Sequence, residues 1–417
     1  MARICIVTGA HLCRNPRVVK EADALAGAGH AVTVLGPALA SDLVAEDAAL
    51  TAGAGWAHRY AVDVRPEAGP GRHVHRVVRR AAVEARRRLG AERPEALGYG
   101  VRALLRAARD ENADLTIGHQ EVGTWVCSRL LRAGRRVGVD VEDWYSELPN
   151  EAQSAGVAVG LLRRVERATL GGAAYATTTS HALADALAAA YDAAPPRVVY
   201  NAFPLSDRDG LDGRAVDRPA RDRLSLHWVS QTVGPDRGLG LVFDALRLVE
   251  TPVDVHLRGS LSAENGAWLR ASFPSEQHGL FVHGLVSPGE LLSRIAEHDV
   301  GLALETTGTA NHDLTVSNKI LHYLLGGLAV VATRTAGQEE VAARAPDAVA
   351  VVDQGDADAM AGAIRALADD PAALRRAKAA ALDAARRTFC WEQQAPVVVA
   401  AAGDALRSRP GSRTPPL

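Results

Sequence analysis

The feature of this 417-residue chain that most limits its fold is a short apolar run followed by a helix-like segment, a pattern that recurs along its length. Residues 3–8 form the first run, and the apolar spacing of residues 16–28 is that of an amphipathic helix. Gly29 ends the helix, and residues 31–35 form the next run. Strand, helix and strand in this order predict an α/β fold with a parallel sheet.

The same alternation begins again after residue 223, with predicted strands at 226–230, 253–257, 300–304 and 329–333. Before it, residues 206–223 are polar and contain glycine, which is typical of a linker or surface loop. We therefore predict two Rossmann-like parallel-sheet domains that face each other across a cleft. Their predicted bounds are 1–200 and 201–388, followed by a helix at 389–406 and a disordered tail at 407–417.

The composition of the chain limits the classes of partner that it is expected to bind. A net charge of −2 does not attract nucleic acid, and no apolar run approaches the roughly 20 residues of a membrane span. The spacing of the four cysteines indicates neither a zinc site nor a disulfide framework. We expect a cytoplasmic monomer or homodimer, no nucleic-acid partner and at most weak peripheral contact with membranes.

Residues 73–88 are dense in arginine and histidine and contain one glutamate. The simpler interpretation is a solvated, arginine-rich helix face. The alternative is a surface for an anionic acceptor or an acidic membrane.

Ligands of two such domains are expected in the cleft, at the carboxyl ends of the strands. Gly9 ends the first predicted strand, but the next residues do not complete the G-x-G-x-x-G fingerprint, and no Walker loop occurs. Nicotinamide and P-loop chemistry are therefore disfavoured. In the second domain, Arg237 and Gly238 precede a helix, where main-chain amides and a guanidinium would suit a diphosphate. The alternative is that Arg237 is an ordinary surface residue.

Residues 316–333 carry a stronger signal. Ser317 is a suitable N-cap, so Asn318 and Lys319 fall in the first turn of a helix. A cation there opposes the helix dipole unless an anion binds beside it. Lysine is also scarce, with only Lys20, Lys319 and Lys378 among 47 basic residues. The pattern predicts that Lys319 binds phosphate.

Several segments together resemble family 4 glycosyltransferases of the GT-B fold. They are CRNPRVVKEADALAGAG (13–29), VGVDVEDWYSELP (137–149), residues 199–204, SQTVGPDRGL (230–239), SNKILHYLLGGLAVVAT (317–333) and FCWE (389–392). The resemblance spans nearly the whole chain. It implies a retaining enzyme whose second domain binds a nucleotide sugar, and a last helix, from about Trp391, that crosses back to the first domain.

The chain departs from that family at several points. Gln231 stands where relatives commonly have arginine, and Glu142 where many have histidine. In the family's E-x7-E motif, the second glutamate aligns with His322 and the first aligns near Leu314. Glu305 lies too far upstream to be a simple replacement. These departures leave the identities of donor and acceptor open.

The predicted site follows from strand ends and from the resemblance. The predicted catalytic residues are His119, Glu142 and Asp143; alternatively, His119 is a satisfied loop histidine and the carboxylates cap a helix. The predicted diphosphate ligands are Gly9, Arg237, Ser317, Asn318 and Lys319. The predicted contacts to nucleoside or sugar are Gln231, Gly259, His283, Gly284, Asn311, His312 and His322. No metal or other cofactor is expected.

The predicted function is transfer of a sugar from a UDP- or GDP-linked donor to a small-molecule or glycan acceptor with retention, in bacterial specialised-metabolite or polysaccharide biosynthesis. One alternative is a sugar-nucleotide epimerase of the same fold, which would need no acceptor. Another is a catalytically weak protein that only binds a sugar nucleotide.

Overall fold

A computed structural model describes residues 1–69, 71–148, 156–218 and 222–408. The chain forms two compact units. The first contains Met1–Val199, Thr309–Asn311 and the last helix from Ala395 onward, and the second contains Tyr200–Gly308 and His312–Gln394. Each unit is built on its own parallel sheet, so the predicted pair of parallel-sheet α/β domains is confirmed. No helix in the described ranges is long and apolar enough to cross a membrane.

The first unit contains a seven-stranded sheet in the order β3-β2-β1-β4-β5-β6-β7. Its strands are β1 (Arg3–Val7), β2 (Ala31–Ala38), β3 (Ala57–Asp63), β4 (Leu115–His119), β5 (Val137–Val141), β6 (Tyr175–Thr178) and β7 (Arg197–Val198). Its helices are α1 (Pro16–Gly27), α2 (Ser41–Thr51), α3 (Gly71–Leu89), α4 (Val101–Asp110), α5 (Gln120–Leu131), α6 (Val159–Gly172) and α7 (His181–Tyr191). Strands β1 and β2 lie where the apolar runs of residues 3–8 and 31–35 predict them.

Strand β3 is the part of this sheet that has no clear sequence signal. It is an edge strand, and most of its residues are half-buried or exposed. Its sequence AHRYAVD therefore lacks both a continuous apolar run and a strict alternation. Helix α2 precedes this strand in the chain and α4 follows it, and no pattern described above predicts either helix.

The second unit contains a six-stranded sheet in the order β10-β9-β8-β11-β12-β13. Its strands are β8 (Leu224–Thr232), β9 (Val253–Ser260), β10 (Gly279–His283), β11 (Val300–Ala303), β12 (Ala329–Thr333) and β13 (Val349–Val352). Its helices are α8 (Leu239–Leu246), α9 (Ala263–Ser272), α10 (Pro288–Ala296), α12 (Asn318–Gly326), α13 (Ala336–Arg344), α14 (Ala357–Ala368) and α15 (Pro371–Arg387). Two more helices, α11 (Ala310–Leu314) and α16 (Trp391–Arg407), are divided between the two units. One hydrophobic core, with Trp228 and Phe243 at its centre, packs this sheet against α8 and α14.

The interpretation of residues 206–223 as a linker or surface loop is wrong at its C-terminal end. Asp217 and Arg218 are buried, with 8% and 6% of their surface exposed. Arg218 pairs with Asp299 at 2.7 Å, and Asp217 pairs with Arg258. The polar composition indicated exposure, but these two side chains are buried because partners that are distant in sequence neutralise their charges. Of the predicted tail, residues 409–417 lie outside the described residues.

Four histidines cluster in the second unit. Sheet register pairs His227 with His256, and the rings of His227 and His298 stack with centroids 4.5 Å apart. His256 Nδ1 and His283 Nε2 are 3.0 Å apart. Burial is the largest cause of the lowered pKa of all four, and it lowers the pKa of His256 to about 3. The negative charge of Asp217 opposes this effect at His256, His283 and His298.

We expect the free energy of unfolding to fall as the pH drops below about 6.5, where unfolded histidines begin to bind protons. The folded cluster resists protonation, so the unfolded state binds more protons in this range and stability rises with pH. The pKa values of His58 and His278 are also lowered, which adds to the effect of the cluster. Groups with a raised pKa act in the opposite direction, and these are His119, Glu121, Glu142, Glu166 and Glu297. Urea denaturation at pH 7.5 and 5.5 measures the difference.

The matched variants are His227→Leu, which removes a buried ring of the cluster, and His73→Gln on the exposed side of α3. His227→Leu should reduce the difference in urea midpoint between the two pH values, whereas His73→Gln should not. Equal midpoints of the wild-type protein at both pH values would contradict the expectation.

Helix α3 is the arginine-rich segment of the sequence, and it exposes Val74, Val77, Val78 and its last residue, Leu89. Some of its arginines pack on the first unit: Arg76 donates to the carbonyl of Val64, and Arg79 lies 4.6 Å from the ring centroid of Tyr99. Its exposed apolar side chains are therefore small, without aromatic rings to insert into a bilayer.

We expect sedimentation with anionic vesicles at physiological salt to leave most of the protein in the supernatant. The arginines supply electrostatic attraction, but three valines and one leucine bury little apolar area in a membrane. Robust pelleting at this salt concentration would contradict the expectation and would favour a lipid-linked acceptor. Vesicles of neutral lipid are the control for nonspecific trapping.

Candidate donor-binding site

A cavity of about 490 Å³ lies in the second unit. It is at the carboxyl end of the sheet, where ligands of parallel α/β sheets bind. It is lined by residues from the ends of β8 and β9, from the segments after β10 and β11, and from the start of α12. These residues are Val229, Ser230, Gln231, Arg258, Leu285, Val286, Pro288, Leu291, Glu305, His312, Thr315, Ser317, Asn318, Lys319 and His322.

The start of α12 supplies the polar wall of this cavity. Ser317 is the N-cap, as predicted, and its Oγ accepts a hydrogen bond from Lys319 N at 3.3 Å. The same hydroxyl donates to Glu305 Oε1 at 2.7 Å. Lys319 Nζ forms an ion pair with that carboxylate oxygen. The cap, the lysine and the glutamate therefore form one connected group.

Glu305 changes the interpretation of Lys319. The sequence argument treats this lysine as uncompensated unless an external anion binds, but the Glu305 carboxylate already lies beside it. The premise that its charge lacks a partner is therefore wrong. Glu305 lies two residues after the end of β11. The carboxyl ends of parallel strands often carry functional side chains. Sequence reasoning set it aside because its spacing does not fit the family motif.

Another part of the cavity lining is apolar. Leu285 and Val286 follow β10, and Pro288 and Leu291 lie in the first turn of α10. Leu285 is 51% exposed, so a bound molecule could cover apolar surface there. A cavity with one apolar wall and one cationic wall is suited to a ligand with a flat ring at one end and an anion at the other.

Six of the twelve predicted donor contacts line this cavity: Gln231, His312, Ser317, Asn318, Lys319 and His322. The ring of His322 also stacks on Phe203, with centroids 3.5 Å apart. Arg237 is not among the lining residues. It is exposed in a short 3₁₀ helix, and its Nη2 lies 3.4 Å from Thr232 Oγ1.

Three further predicted contacts are not among the cavity-lining residues, and each has a structural role. A Cβ atom on Gly259 would lie 2.6 Å from the carbonyl oxygen of Ser230, so close packing of β9 on β8 requires glycine there. His283 Nδ1 lies 3.3 Å from Asp217 Oδ1. The carbonyl of Gly284 accepts a hydrogen bond from Arg258. Their predicted role toward nucleoside or sugar stays a prediction.

In the first unit, His119 is the last residue of β4 and is only 1% exposed. Its Nε2 pairs with Glu21 Oε2. Burial alone would lower the pKa of His119, but the negative charges of Glu21 and Asp140 raise it. Together Glu21, His119 and Asp140 have the spacing of metal ligands, yet Arg17 Nε already donates to Asp140 at 2.8 Å. The other ring nitrogen, Nδ1, is buried and has no hydrogen-bond partner among the described residues, and the predicted catalytic role of His119 stays a prediction.

The two predicted catalytic carboxylates directly follow β5. Burial raises the pKa of Glu142, and the positive charge of Arg17 opposes that shift. Asp143 Oδ1 accepts a hydrogen bond from Asn311 Nδ2 at 3.0 Å. The fold therefore brings Asn311 to Asp143, although 168 residues separate them.

Gly9 lies after β1, where its N–H donates to Gln120 Oε1 at 3.2 Å. A Cβ atom there would lie 3.0 Å from Val122, so packing on α5 is enough to favour glycine. Its predicted contact with a diphosphate stays a prediction.

Comparison with known proteins identifies the chain's class. Residues 15–203 match the family model of the glycosyl transferase 4-like domain. The chain is a glycosyltransferase that carries this domain over a little under half of its length. No curated protein matches it in sequence. The predicted family and enzyme class are confirmed.

Solved glycosyltransferase structures share the fold over nearly the whole chain. Sucrose-phosphate synthase from Thermosynechococcus elongatus is 15% identical with a TM-score of 0.66, and the match covers 98% of each chain. HepE from Anabaena in complex with UDP-glucose is 14% identical with a TM-score of 0.64, covering 97% of this chain and 100% of that one. An E. coli structure described as trehalose-6-phosphate bound with UDP-2-fluoro glucose has the same identity and TM-score, covering 98% and 100%. At these identities the likeness supports the GT-B fold.

Proposed function

We propose that this glycosyltransferase moves a sugar from a UDP- or GDP-linked donor, bound in the cavity of the second unit, to a small-molecule or glycan acceptor. The observation that carries the proposal is that one cavity is lined both by apolar side chains, including Leu285 and Val286, and by the helix start from Ser317 to Lys319. The apolar lining suits a base, and the helix start with its lysine suits a diphosphate. Two of the similar folds hold UDP-linked ligands, which supports a nucleotide sugar here.

The reaction would separate charge at the bond between sugar and diphosphate. Negative charge grows on the leaving diphosphate, and the Lys319 ammonium and the amides at the start of α12 would offset it. These groups are already in place, because the Ser317 cap and the Glu305 carboxylate hold the lysine. Such preorganised cations can perform the task that a metal performs elsewhere, so we propose a metal-independent reaction.

We further propose that the sugar keeps its anomeric configuration. In a front-face reaction, the acceptor attacks from the side that the diphosphate leaves, and the leaving phosphate oxygen takes the acceptor's proton. Glu142 and Asp143 would stabilise the positive charge that develops on the sugar.

A thermal-shift panel of UDP, GDP and ADP tests the donor site directly. A nucleotide at about 100 times its dissociation constant should add about 2.7 kcal/mol of stability. The corresponding sugar nucleotides are then incubated with candidate acceptors, and release of nucleoside diphosphate is measured with and without EDTA. We expect stabilisation by UDP or GDP and release that depends on the acceptor and withstands EDTA. Stabilisation by none of the three would contradict the proposal, and conversion of the donor without acceptor would indicate an epimerase.

A further inference from the structure

Arg258 is a cation in the wall of the donor cavity that the sequence analysis does not single out. It lies on β9 beside Val229 of β8, and both residues line the cavity. Its surface is only 2% exposed. Among the ionised lining side chains, Arg258 and Lys319 are positive and Glu305 is negative. A buried guanidinium facing a cavity is costly to keep unless it is paired and hydrogen-bonded.

The pairing uses only part of this guanidinium. Nη2 donates to Asp217 Oδ2, and Nη1 donates to the carbonyl oxygen of Gly284. Nε is buried and has no hydrogen-bond partner in the described part of the chain. Since a guanidinium carries five N–H donors, several remain for a ligand.

Asp217 is itself held firmly, so the guanidinium has a fixed orientation. Its Oδ1 lies 3.3 Å from His283 Nδ1, and its backbone N–H donates to Glu297 Oε2 at 2.7 Å. Arg258, Asp217 and His283 thus form a buried clamp that holds a planar cation at the cavity wall. A cation that is immobilised before binding loses little conformational entropy when an anion arrives.

We propose that Arg258 is a second cationic ligand of the donor's diphosphate, acting with Lys319. This inference rests on the proposed function, because it assigns a role within the same cavity. It accounts for the buried Nε without a partner and for the pairing that keeps the guanidinium in place. It also supplies a second positive group in a cavity where Gln231 is neutral and Arg237 is absent from the lining.

The test compares two double variants that each remove both partners of an arginine–aspartate pair. Arg258→Gln with Asp217→Asn removes the clamp. Arg218→Gln with Asp299→Asn is the control, because Arg218 is also buried and paired but does not line the cavity. The control also removes the partner of Lys378, but that side chain is 32% exposed, so water solvates its charge. Calorimetric titration with UDP and with uridine, and with GDP and guanosine, measures the dissociation constants. Melting curves report the folding of each variant.

We expect the clamp variant to bind the nucleoside diphosphate about 10- to 100-fold more weakly than wild type, with nucleoside binding unchanged. The control variant should bind both as wild type does. Unchanged diphosphate binding by the clamp variant would overturn the inference, and so would an equal loss for nucleoside and diphosphate, which would indicate a contact with the base. If the clamp variant does not fold, Arg258→Lys decides, and diphosphate affinity equal to wild type would overturn the inference. A wild-type protein that binds neither UDP nor GDP would overturn the proposed function together with this inference.

Discussion

Lys319→Ala should lower the rate of nucleoside diphosphate release about 30- to 1,000-fold at saturating donor. The lysine lies in the first turn of α12 on the cavity wall, and losing one preorganised cation should remove roughly 2–4 kcal/mol of transition-state stabilisation. Lys319→Arg should recover part of the rate, because it keeps the charge while changing the geometry. Initial rates of nucleoside diphosphate release for each variant measure the effect.

Lys378→Ala is the matched control. Lys378 also pairs with a carboxylate, Asp299 at 3.0 Å, and is similarly exposed, but it lies on α15 away from the cavity lining. Its rate should equal that of wild type. Wild-type turnover by a well-folded Lys319→Ala protein would contradict the assignment of Lys319 and favour the interpretation as a binding protein.

The melting temperature of the Lys319→Ala variant distinguishes a loss of folding stability from a loss of catalytic rate. The lysine and Glu305 are each 23% exposed, so water screens their ion pair, and its loss should cost no more than about 1 kcal/mol. Removing a cation from the first turn of a helix partly offsets that cost. The melting temperature should therefore stay close to that of wild type while the rate falls.

Gly337→Ala should destabilise the second unit by about 1–3 kcal/mol, because it overpacks backbone rather than a flexible side chain. A Cβ atom on Gly337, in α13, would lie 2.1 Å from the carbonyl oxygen of Thr315 and 2.9 Å from Val316 N. Neither atom can move without displacing the chain that leads to Ser317. We expect a lower melting temperature and weaker donor binding, measured by thermal shift with and without UDP or GDP.

Gly362→Ala provides the control for this substitution. Gly362 is also a helical glycine, in α14, but a Cβ atom there meets no heavy atom within 4 Å. Alanine should stabilise this helix by about 0.5–1 kcal/mol, since glycine is the poorer helix former. If both variants melt at the same temperature, steric contact with Thr315 does not determine the need for glycine at position 337.

Local sequence patterns were enough to predict much of the second unit. Strand β12 lies where its apolar run predicts it, and α12 begins after the Ser317 cap and ends at Gly326 before Gly327. Such elements are encoded by neighbouring residues, through burial of apolar runs and through capping. Strand β3 was missed because an edge strand needs no continuous apolar run.

Sequence alone determined that this chain forms two parallel-sheet domains, that it resembles family 4 glycosyltransferases, and that Ser317 and Lys319 lie together at a helix start. Only the tertiary structure decided which charges meet. Glu305 reaches Lys319 from the end of β11, and Asp217 reaches Arg258 across 41 residues. The physical reason is that strand register and helix packing select these partners, whereas sequence patterns report only on residues a few positions apart.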